Sequence, residues 1–243
     1  MNLCLDIGNS LIKAAVFDQT NLLEIARFNF PNAETELNNL FDKYSVKKGI
    51  ISNVARTDRS LLELLQDRIE HLLLLDHQTP IPFVNSYGTP ETLGVDRLAL
   101  VAAGVSQFPG TNVLIIDAGS CITLDFVDSE GVYKGGAITP GINMRYKAVN
   151  AFTANLPLRE GPDAIPALGN STVNAIHLGI LKGVIYELEG TIQTYRSQNE
   201  KLTVVLTGGN TNFLAKNLKS SIFAIPNFLL EGLNSILIHN IDG

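Results

Sequence analysis

The sequence predicts an α/β protein with a duplicated fold, in which two lobes each carry a mixed β-sheet flanked by helices. A strand followed by an Asp-x-Gly turn occurs twice, first at Asp6-Ile7-Gly8 and again at Asp117-Ala118-Gly119. After each turn come two further apolar strands, and then alternating helices and strands. The dipeptide Pro109-Gly110 separates the two series, which predicts lobes at residues 1–109 and 110–243.

The elements of the first lobe follow from hydrophobic periodicity. Short apolar stretches predict strands at 2–6, 11–17, 22–29 and 49–54. Apolar residues at helical spacing predict helices over 33–44 and 59–73, and a third helix that begins at Gly94. The polar, proline-containing stretch from Asp76 to Pro90 predicts an irregular connection.

The second lobe repeats this order. Strands at 112–117, 121–127 and 131–138 precede a predicted helix over 141–151. A loop with three prolines leads to Ser171 and Thr172, and either hydroxyl can cap a long helix that reaches about residue 195. A strand at 202–206 and two helices flanking a strand at 222–224 complete the predicted lobe.

The bulk composition predicts a soluble, cytoplasmic protein with no nucleic-acid or membrane partner. Hydrophobic residues make up 45% of the chain and charged residues 17%, which is ample for a buried core. The net charge of −6 gives no general attraction to nucleic acid or anionic membranes. Neither a signal peptide nor a membrane-spanning apolar run is visible. The two cysteines and four histidines show no spacing typical of a zinc site.

The two Asp-x-Gly turns suit phosphate binding. In each, a strand delivers a carboxylate to its C-terminal end, and the glycine lets a bound group approach the backbone closely. Backbone N–H groups can then point at phosphate oxygens while the aspartate holds a metal ion. A single such aspartate would favour an Asx turn, but two copies with similar flanks favour the phosphate interpretation. The sequence contains neither a P-loop nor a Rossmann fingerprint.

Other polar positions allow both a structural and a functional interpretation. Lys13 lies in a predicted strand, where it either points to solvent or reaches back to the phosphates. The segment Thr207-Gly208-Gly209-Asn210 is either a plain β–α turn or a place where backbone amides approach a nucleotide. Asp96 either complements a helix dipole or accepts a proton from a substrate hydroxyl. Arg97 beside it offers a fork for a carboxylate or phosphate.

Four segments, taken in order, resemble a known family. They are Asp6-Ile7-Gly8-Asn9-Ser10-x-x-Lys13, Tyr87-x-x-Pro90-x-x-Leu93-Gly94-x-Asp96-Arg97, Asp117-Ala118-Gly119-Ser120-x-x-Thr123 and Gly135-Gly136-x-Ile138-x-Pro140-Gly141. Together they resemble the type III pantothenate kinases, members of the actin/Hsp70/sugar-kinase superfamily, over nearly the whole chain. The resemblance implies two ribonuclease-H-like (actin-like) lobes. It also implies ATP-dependent phosphorylation of pantothenate, the first step of coenzyme A biosynthesis.

The same resemblance assigns the site residues and partners. The residues implied to bind ATP are Asp6, Ile7, Gly8, Asn9, Ser10, Leu11, Ile12, Lys13 and Ser120. The residues implied to bind pantothenate are Tyr87, Gly94, Val95, Asp96, Arg97 and Thr172, with Asp96 as the catalytic proton acceptor. Asp117 would hold a monovalent cation, potassium or ammonium, and Asp6 would help to place Mg²⁺ with ATP. A homodimer is implied as well, with Thr172 near the subunit interface.

Two positions depart from the family pattern. Ser120 stands where threonine is usual and keeps the hydroxyl, whereas Thr89 stands where asparagine is common and puts one polar contact near Tyr87 in question. The alternative function is a non-catalytic, nucleotide-binding regulator on the same scaffold. The presence of Asp96 and Lys13 favours the kinase, because such a regulator would need neither residue. No helix-turn-helix motif or basic stripe supports a regulator either.

Overall fold

A computed structural model describes residues 1–8, 11–53, 59–162 and 164–241 of the chain. Its contacts group the chain into two compact units. The first comprises Met1–Gly110, Glu130–Lys134 and Asn227–Gly243, and the second comprises Thr111–Ser129 and Gly135–Pro226. The lobe limits at 109 and 110 stay a prediction, because a grouping by contact does not show which segments arose by duplication.

The first unit contains a five-stranded mixed sheet with the strand order β3-β2-β1-β4-β5. Its strands are β1 (Asn2–Ile7), β2 (Ile12–Asp18), β3 (Asn21–Phe28), β4 (Lys48–Asn53) and β5 (His71–Leu74). The first three form an antiparallel meander, whereas β4 pairs with β1, and β5 with β4, in parallel. The strand β1 is buried along its whole length, as expected for a central strand covered on both faces.

Helices flank this sheet. The helices α1 (Ala33–Lys43) and α2 (Arg59–Arg68) bury Leu37 and Leu65 in one core with alternate residues of β1. The helix α3 (Val95–Gln107) packs against the C-terminal helix α7 (Phe228–Ile241), which also contacts β1 and β4. This apolar packing supplies the scaffold on which the polar end of β1 is held.

Polar contacts fix α7 to the start of the chain. The Asn2 side chain donates to Asn234 Oδ1 at 2.8 Å, and the Asn234 side chain donates to the Gln19 carbonyl at 2.7 Å. At Gly232 a Cβ would overlap the Ala99 carbonyl of α3, so glycine permits the close approach of the two helices. The last helix of the chain is therefore part of the first unit.

The second sheet repeats this plan with the strand order β11-β10-β7-β8-β9-β6, in which β6 (Val84–Asn85) pairs with the first residues of β9. Its strands are β7 (Asn112–Ala118), β8 (Cys121–Val127), β9 (Val132–Pro140), β10 (Leu202–Thr207) and β11 (Phe223–Ala224). As in the first sheet, two sequential strands pair antiparallel and the later strands add in parallel. The predicted α/β class and duplicated fold, with two mixed sheets flanked by helices, are confirmed.

Three helices pack together against one face of the second sheet. They are α4 (Ile142–Ala151), α5 (Thr172–Gln198) and α6 (Thr211–Asn217), and they bury Tyr146, Leu188 and Leu214 against apolar residues of β7, β8 and β10. The Ser171 hydroxyl accepts a hydrogen bond from the Asn174 N–H at 3.2 Å, so Ser171 is the N-cap of α5. None of the helices in the described parts of the chain is long and apolar enough to cross a membrane.

Two predicted elements of the first unit were wrong. The helix expected over 59–73 ends at Arg68, and His71–Leu74 forms β5 beside β4. Periodicity cannot separate helix from strand in so short a leucine run, and the pairing with β4 decides it. The connection expected to be irregular contains a strand, β6 (Val84–Asn85), which pairs with the first residues of β9. A 3₁₀ turn follows at Pro90–Thr92.

Candidate active site

The first Asp-x-Gly turn joins β1 to β2. Asp6 lies opposite Lys13 in the strand ladder, and the Lys13 ammonium is 3.3 Å from Asp6 Oδ2. Asp6 is 7% exposed, so its carboxylate needs such a partner. The Gly8 N–H donates to the Leu11 carbonyl at 3.1 Å. The lysine side chain is therefore directed along the sheet to the aspartate at the turn.

Other residues of this turn were also predicted to bind ATP. Ile7 and Ile12 are fully buried in the first core, so only their backbone can face a ligand. Leu11 between the strands is 39% exposed. Asn9 and Ser10 lie outside the described residues.

The Asp6 carboxyl has a raised pKa. Burial raises it most, the Lys13 ammonium opposes this shift by charge and by hydrogen bond, and the negative charge of Asp96 adds to it. The influence of Asp96 means that the end of β1 and the start of α3 share one polar region of the first unit.

The start of α3 holds the residues predicted to bind the phosphate acceptor. Asp96 Oδ1 accepts a hydrogen bond from the Arg97 N–H at 2.9 Å. At Gly94, the N-cap, a Cβ would overlap Asp96 Oδ1, so glycine makes room for the carboxylate at the helix N-terminus. Arg97 is 4% exposed, although its side chain is charged. Val95, the first residue of the helix, separates the glycine from the aspartate.

One aromatic ring packs against this arginine, and two further rings pack behind it. The guanidinium carbon of Arg97 lies 5.5 Å from the centre of the Tyr87 ring. Tyr87 stacks on Tyr133, with ring centres 5.9 Å apart and an angle of 15° between planes. Phe83 meets Tyr133 edge-on at 6.2 Å. Tyr133 was not predicted, because nothing in the sequence distinguishes it from any aromatic residue at the start of a strand.

The departure at Thr89 has a local structural role. Its side-chain oxygen accepts a hydrogen bond from the Thr92 hydroxyl at 2.8 Å. Thr92 closes the 3₁₀ turn that leads to Gly94. Threonine at position 89 therefore stabilises the turn that precedes the acceptor residues.

The second Asp-x-Gly turn joins β7 to β8. Asp117 lies opposite Thr123 on β8 and opposite Thr207 on β10. The Thr123 Oγ1 atom is buried and has no hydrogen-bond partner among the residues that the structure describes. The Gly119 N–H donates to the Cys121 carbonyl at 3.0 Å, two residues further on, whereas Gly8 in the first unit donates to a carbonyl three residues further on.

The glycine turn after β10 meets this aspartate. Gly208 has φ of +92°, and a Cβ there would overlap Asp117 Oδ1 and lie 2.7 Å from Ala118 backbone atoms. Asn210 donates to the Ala118 carbonyl from both its N–H and its side chain, each at 3.1 Å. The two segments that the sequence marked separately thus form one cradle around the Asp117 carboxylate.

The turn from Gly119 to Ser120 is also closely packed. The Gly141 N–H donates to the Ser120 carbonyl at 3.1 Å. A Cβ at Gly141 would overlap the Gly119 and Ser120 carbonyls, which explains a glycine at the start of α4. Ser120 itself is exposed, as is Thr172 at the start of α5.

A cavity of about 410 Å³ lies in the second unit beside the Asn210 turn. Amide side chains, a lysine and an aromatic ring contribute to its lining, among them Asn143, Asn210, Asn212, Phe213 and Lys216. Of these the sequence marked only Asn210. The others were missed because they come from two helices whose meeting point depends on tertiary packing.

Several known proteins are similar to this chain in sequence. The family model for type III pantothenate kinase matches residues 2–194. A type III pantothenate kinase from Christiangramia forsetii is 48% identical over 241 residues, covering 99% of each chain. Another with the same name, from Flavobacterium psychrophilum, is 42% identical and covers 97% of this chain and 98% of the relative.

Solved structures support the fold alone. A conserved protein from Campylobacter jejuni assigned to the Baf family of transcriptional activators has a TM-score of 0.61 at 23% identity, covering 99% and 100% of the two chains. A ROK family glucokinase from Streptomyces griseus has a TM-score of 0.52 at 11% identity, covering 100% and 99%. The relatives in sequence are more specific, and together with the family model they establish that this chain belongs to the type III pantothenate kinase family.

Proposed function

We propose that this protein transfers the γ-phosphoryl group of ATP to the primary hydroxyl of pantothenate, giving 4′-phosphopantothenate for coenzyme A biosynthesis. The observation that carries the proposal is the arrangement at the start of α3, where the Asp96 carboxylate adjoins a buried Arg97 and shares a region with Asp6. Family membership does not favour the alternative, a non-catalytic regulator. The cytoplasm, where ATP is available, is the proposed location.

Asp96 and Arg97 would hold the acceptor. Phosphoryl transfer requires mainly positioning and charge stabilisation, so Asp96 would orient the hydroxyl and accept its proton late. Pantothenate also carries a carboxylate, for which the Arg97 guanidinium offers a planar fork of donors. Tyr87 would form one side of this site, beside Gly94 and Val95. Thr172 stays a proposed further contact.

The first turn would hold the phosphates of ATP. Lys13 would donate from its ammonium to phosphate oxygens, and the backbone from Asp6 to Ile12 would line them. Ser120 of the second turn is a further proposed phosphate contact. Mg²⁺ bound with ATP would neutralise phosphate charge, and the Asp6 carboxylate is an oxygen donor of the kind that this ion prefers.

The second turn fits a monovalent cation. Its donor atoms are oxygens, the Asp117 carboxylate and the orphaned Thr123 hydroxyl across the ladder, and hard cations prefer such ligands. Gly208, where a Cβ would overlap Asp117 Oδ1, brings backbone close to this carboxylate. The cation would offset the negative charge of the Asp117 carboxylate.

The cavity beside Asn210 would take the nucleoside of ATP. Its volume suits a small organic group, and amides can donate to and accept from a base edge. The Phe213 ring offers an apolar face on which a base can stack. Lys216 adds a positive charge to the lining.

A homodimer is the proposed assembly. Large apolar side chains are exposed in the second unit, including Phe152 at 88%, Tyr186 at 68% and Leu168 at 67%. Exposed apolar residues of this size on one unit favour an interaction surface. Thr172 begins the helix that carries Tyr186, which agrees with its proposed place near the interface. Light scattering on the purified protein measures the mass.

The test of the function is ADP release with pantothenate as the acceptor, in potassium and then in sodium alone. Wild-type protein should release ADP only when pantothenate is present. Asp96→Asn should lower kcat by roughly 10²–10⁴ with little change in ATP binding. Glu91→Gln, which removes an exposed acid in the preceding turn, is the matched control and should keep normal kinetics.

Two results would contradict the proposal. Absence of pantothenate-dependent ADP release in either salt would exclude the kinase activity. Near-normal turnover by Asp96→Asn would leave the activity standing and exclude Asp96 as the proton acceptor.

A further inference from the structure

Tyr133 is an aromatic residue that packs against the candidate site and that no sequence pattern predicted. It is fully buried, and it comes from a short segment, Glu130–Lys134, that belongs by contact to the first unit. Its ring contacts Tyr87 face to face and Phe83 edge to face. Stacked and edge-on aromatic pairs are directional, so they fix the plane of a ring as well as its position.

The backbone of Tyr133 holds the same segment. Asn85 of β6 is its ladder partner, and the Ser86 N–H donates to the Tyr133 carbonyl at 3.1 Å. The Asn85 side chain in turn accepts from the Tyr87 N–H at 3.0 Å. The backbone that precedes Tyr87 is therefore hydrogen-bonded to Tyr133, and the Tyr87 ring stacks on the Tyr133 ring. Tyr133 thus contacts both the main chain before Tyr87 and the Tyr87 side chain.

The orientation of Tyr87 affects the arginine. The Arg97 guanidinium lies over the Tyr87 ring at 5.5 Å and is almost excluded from solvent. A planar guanidinium recognises a carboxylate through donors in a fixed geometry, so a tilt of the ring beneath it changes where those donors point. Small displacements of a positioning group have large effects on binding and rate.

We infer that Tyr133 is a positioning residue for the acceptor site: its ring sets the plane of Tyr87, and through Tyr87 the direction of the Arg97 donors. The inference rests on the proposed function, because it takes Tyr87 and Arg97 as contacts of pantothenate. It concerns the acceptor alone.

The experiment compares two substitutions of Tyr133 by steady-state kinetics. Tyr133→Phe keeps the ring and should retain KM for pantothenate within about twofold. Tyr133→Met keeps an apolar side chain of similar length but loses the planar ring, and should raise KM for pantothenate about tenfold while KM for ATP changes less than twofold. This split separates positioning of the acceptor from a general loss of structure.

Tyr195→Met is the matched control. Tyr195 also packs on an aromatic ring, that of Phe126 at 5.1 Å, but in the second unit. Its substitution should lower the melting temperature as Tyr133→Met does and leave KM for pantothenate unchanged. Melting curves of all variants are recorded beside the kinetics.

The possible outcomes separate a failure of this inference from a failure of the proposed function. If wild-type protein phosphorylates pantothenate and Tyr133→Met keeps a normal KM for it, the inference fails and the function stands. Equal increases of both KM values would also overturn it, as would a Phe variant as impaired as the Met variant. If wild-type protein shows no pantothenate-dependent turnover, the proposed function fails and the inference falls with it.

Discussion

The two Asp-x-Gly segments both follow a central strand of their sheet, but their aspartates have different cross-strand partners. Asp6 faces Lys13 on one neighbouring strand and Ser52 on the other. At the corresponding ladder positions, Asp117 faces Thr123 and Thr207. The first turn thus carries its own ammonium group where the second carries a hydroxyl.

This difference fits the two roles proposed for the turns. Both turns have a carboxylate at the end of a central strand and a hydroxyl residue on the parallel strand beside it. They differ in the residue at the antiparallel position that faces the carboxylate. A lysine there suits a turn proposed to meet phosphates, whereas a neutral oxygen suits a turn proposed to take a cation from solution.

The largest expected effect comes from replacing Lys13 with threonine, the residue type that faces the aspartate of the second turn. Lys13→Thr removes the ammonium proposed to contact the phosphates, and we expect kcat/KM for ATP to fall by roughly 10²-fold. Lys43→Thr, which breaks the exposed Lys43–Glu24 ion pair, is the control and should keep normal ATP kinetics. A Lys13→Thr enzyme within threefold of wild type would show that the lysine serves only Asp6.

Substitutions at two adjacent glycines test the close packing around Asp117 in the second turn. Gly208→Ala places a Cβ against Asp117 at a positive φ, and should lower the free energy of unfolding by about 2–3 kcal/mol. Gly209→Ala meets no atom within 4 Å and should stay within about 0.5 kcal/mol of wild type. Urea denaturation measures both. Equal losses for the two variants would contradict the crowding at Gly208.

Placing a lysine opposite the aspartate of the second turn tests the proposed cation site. Thr123→Lys would place an ammonium opposite Asp117, and we expect the activation by potassium to shrink about tenfold, because the side chain supplies the charge. Thr123→Val supplies neither charge nor oxygen and should need more potassium than wild type. Rates are measured against potassium at constant ionic strength. Unchanged potassium dependence in both variants would separate Thr123 from the cation.

The smallest effect compares the glycines inside the two turns. A Cβ at Gly8 would lie 3.2 Å from the Leu11 carbonyl, whereas one at Gly119 would lie 3.6 Å from the Cys121 carbonyl. Gly8→Ala should therefore cost about 1 kcal/mol of stability and Gly119→Ala less than about 0.5. Paired melting curves are sufficient, and a larger loss for Gly119→Ala would reverse the comparison.

Much of the fold could be predicted because its signals are local. The apolar strands, the Asp-x-Gly turns and the helix that begins after Gly94 are all visible within short windows of sequence. The duplicated order of strands followed from reading the two halves together. The two strands that were not predicted, β5 and β6, are short, and each forms by pairing with a strand elsewhere in the sequence.

The polar residues of the candidate site could be proposed from the sequence, whereas the residues that pack against them could not. Asp6, Asp96 and Asp117 stand at element ends, where a carboxylate is conspicuous. Contacts that depend on long-range packing left no such mark, as at Tyr133. The meeting of Gly208 with Asp117 likewise requires β10 to align with β7, which no local pattern encodes.

The attachment of α7 to β1 joins segments that are far apart in the chain. Asn2 and Asn234 are separated by 232 positions, yet they are hydrogen-bonded in the buried interior. Contacts between residues so distant in sequence require the closure of a long loop before they contribute to stability. We therefore expect the sheet that holds Asp6 to gain its covering helix late in folding, after its local strand pairs have formed.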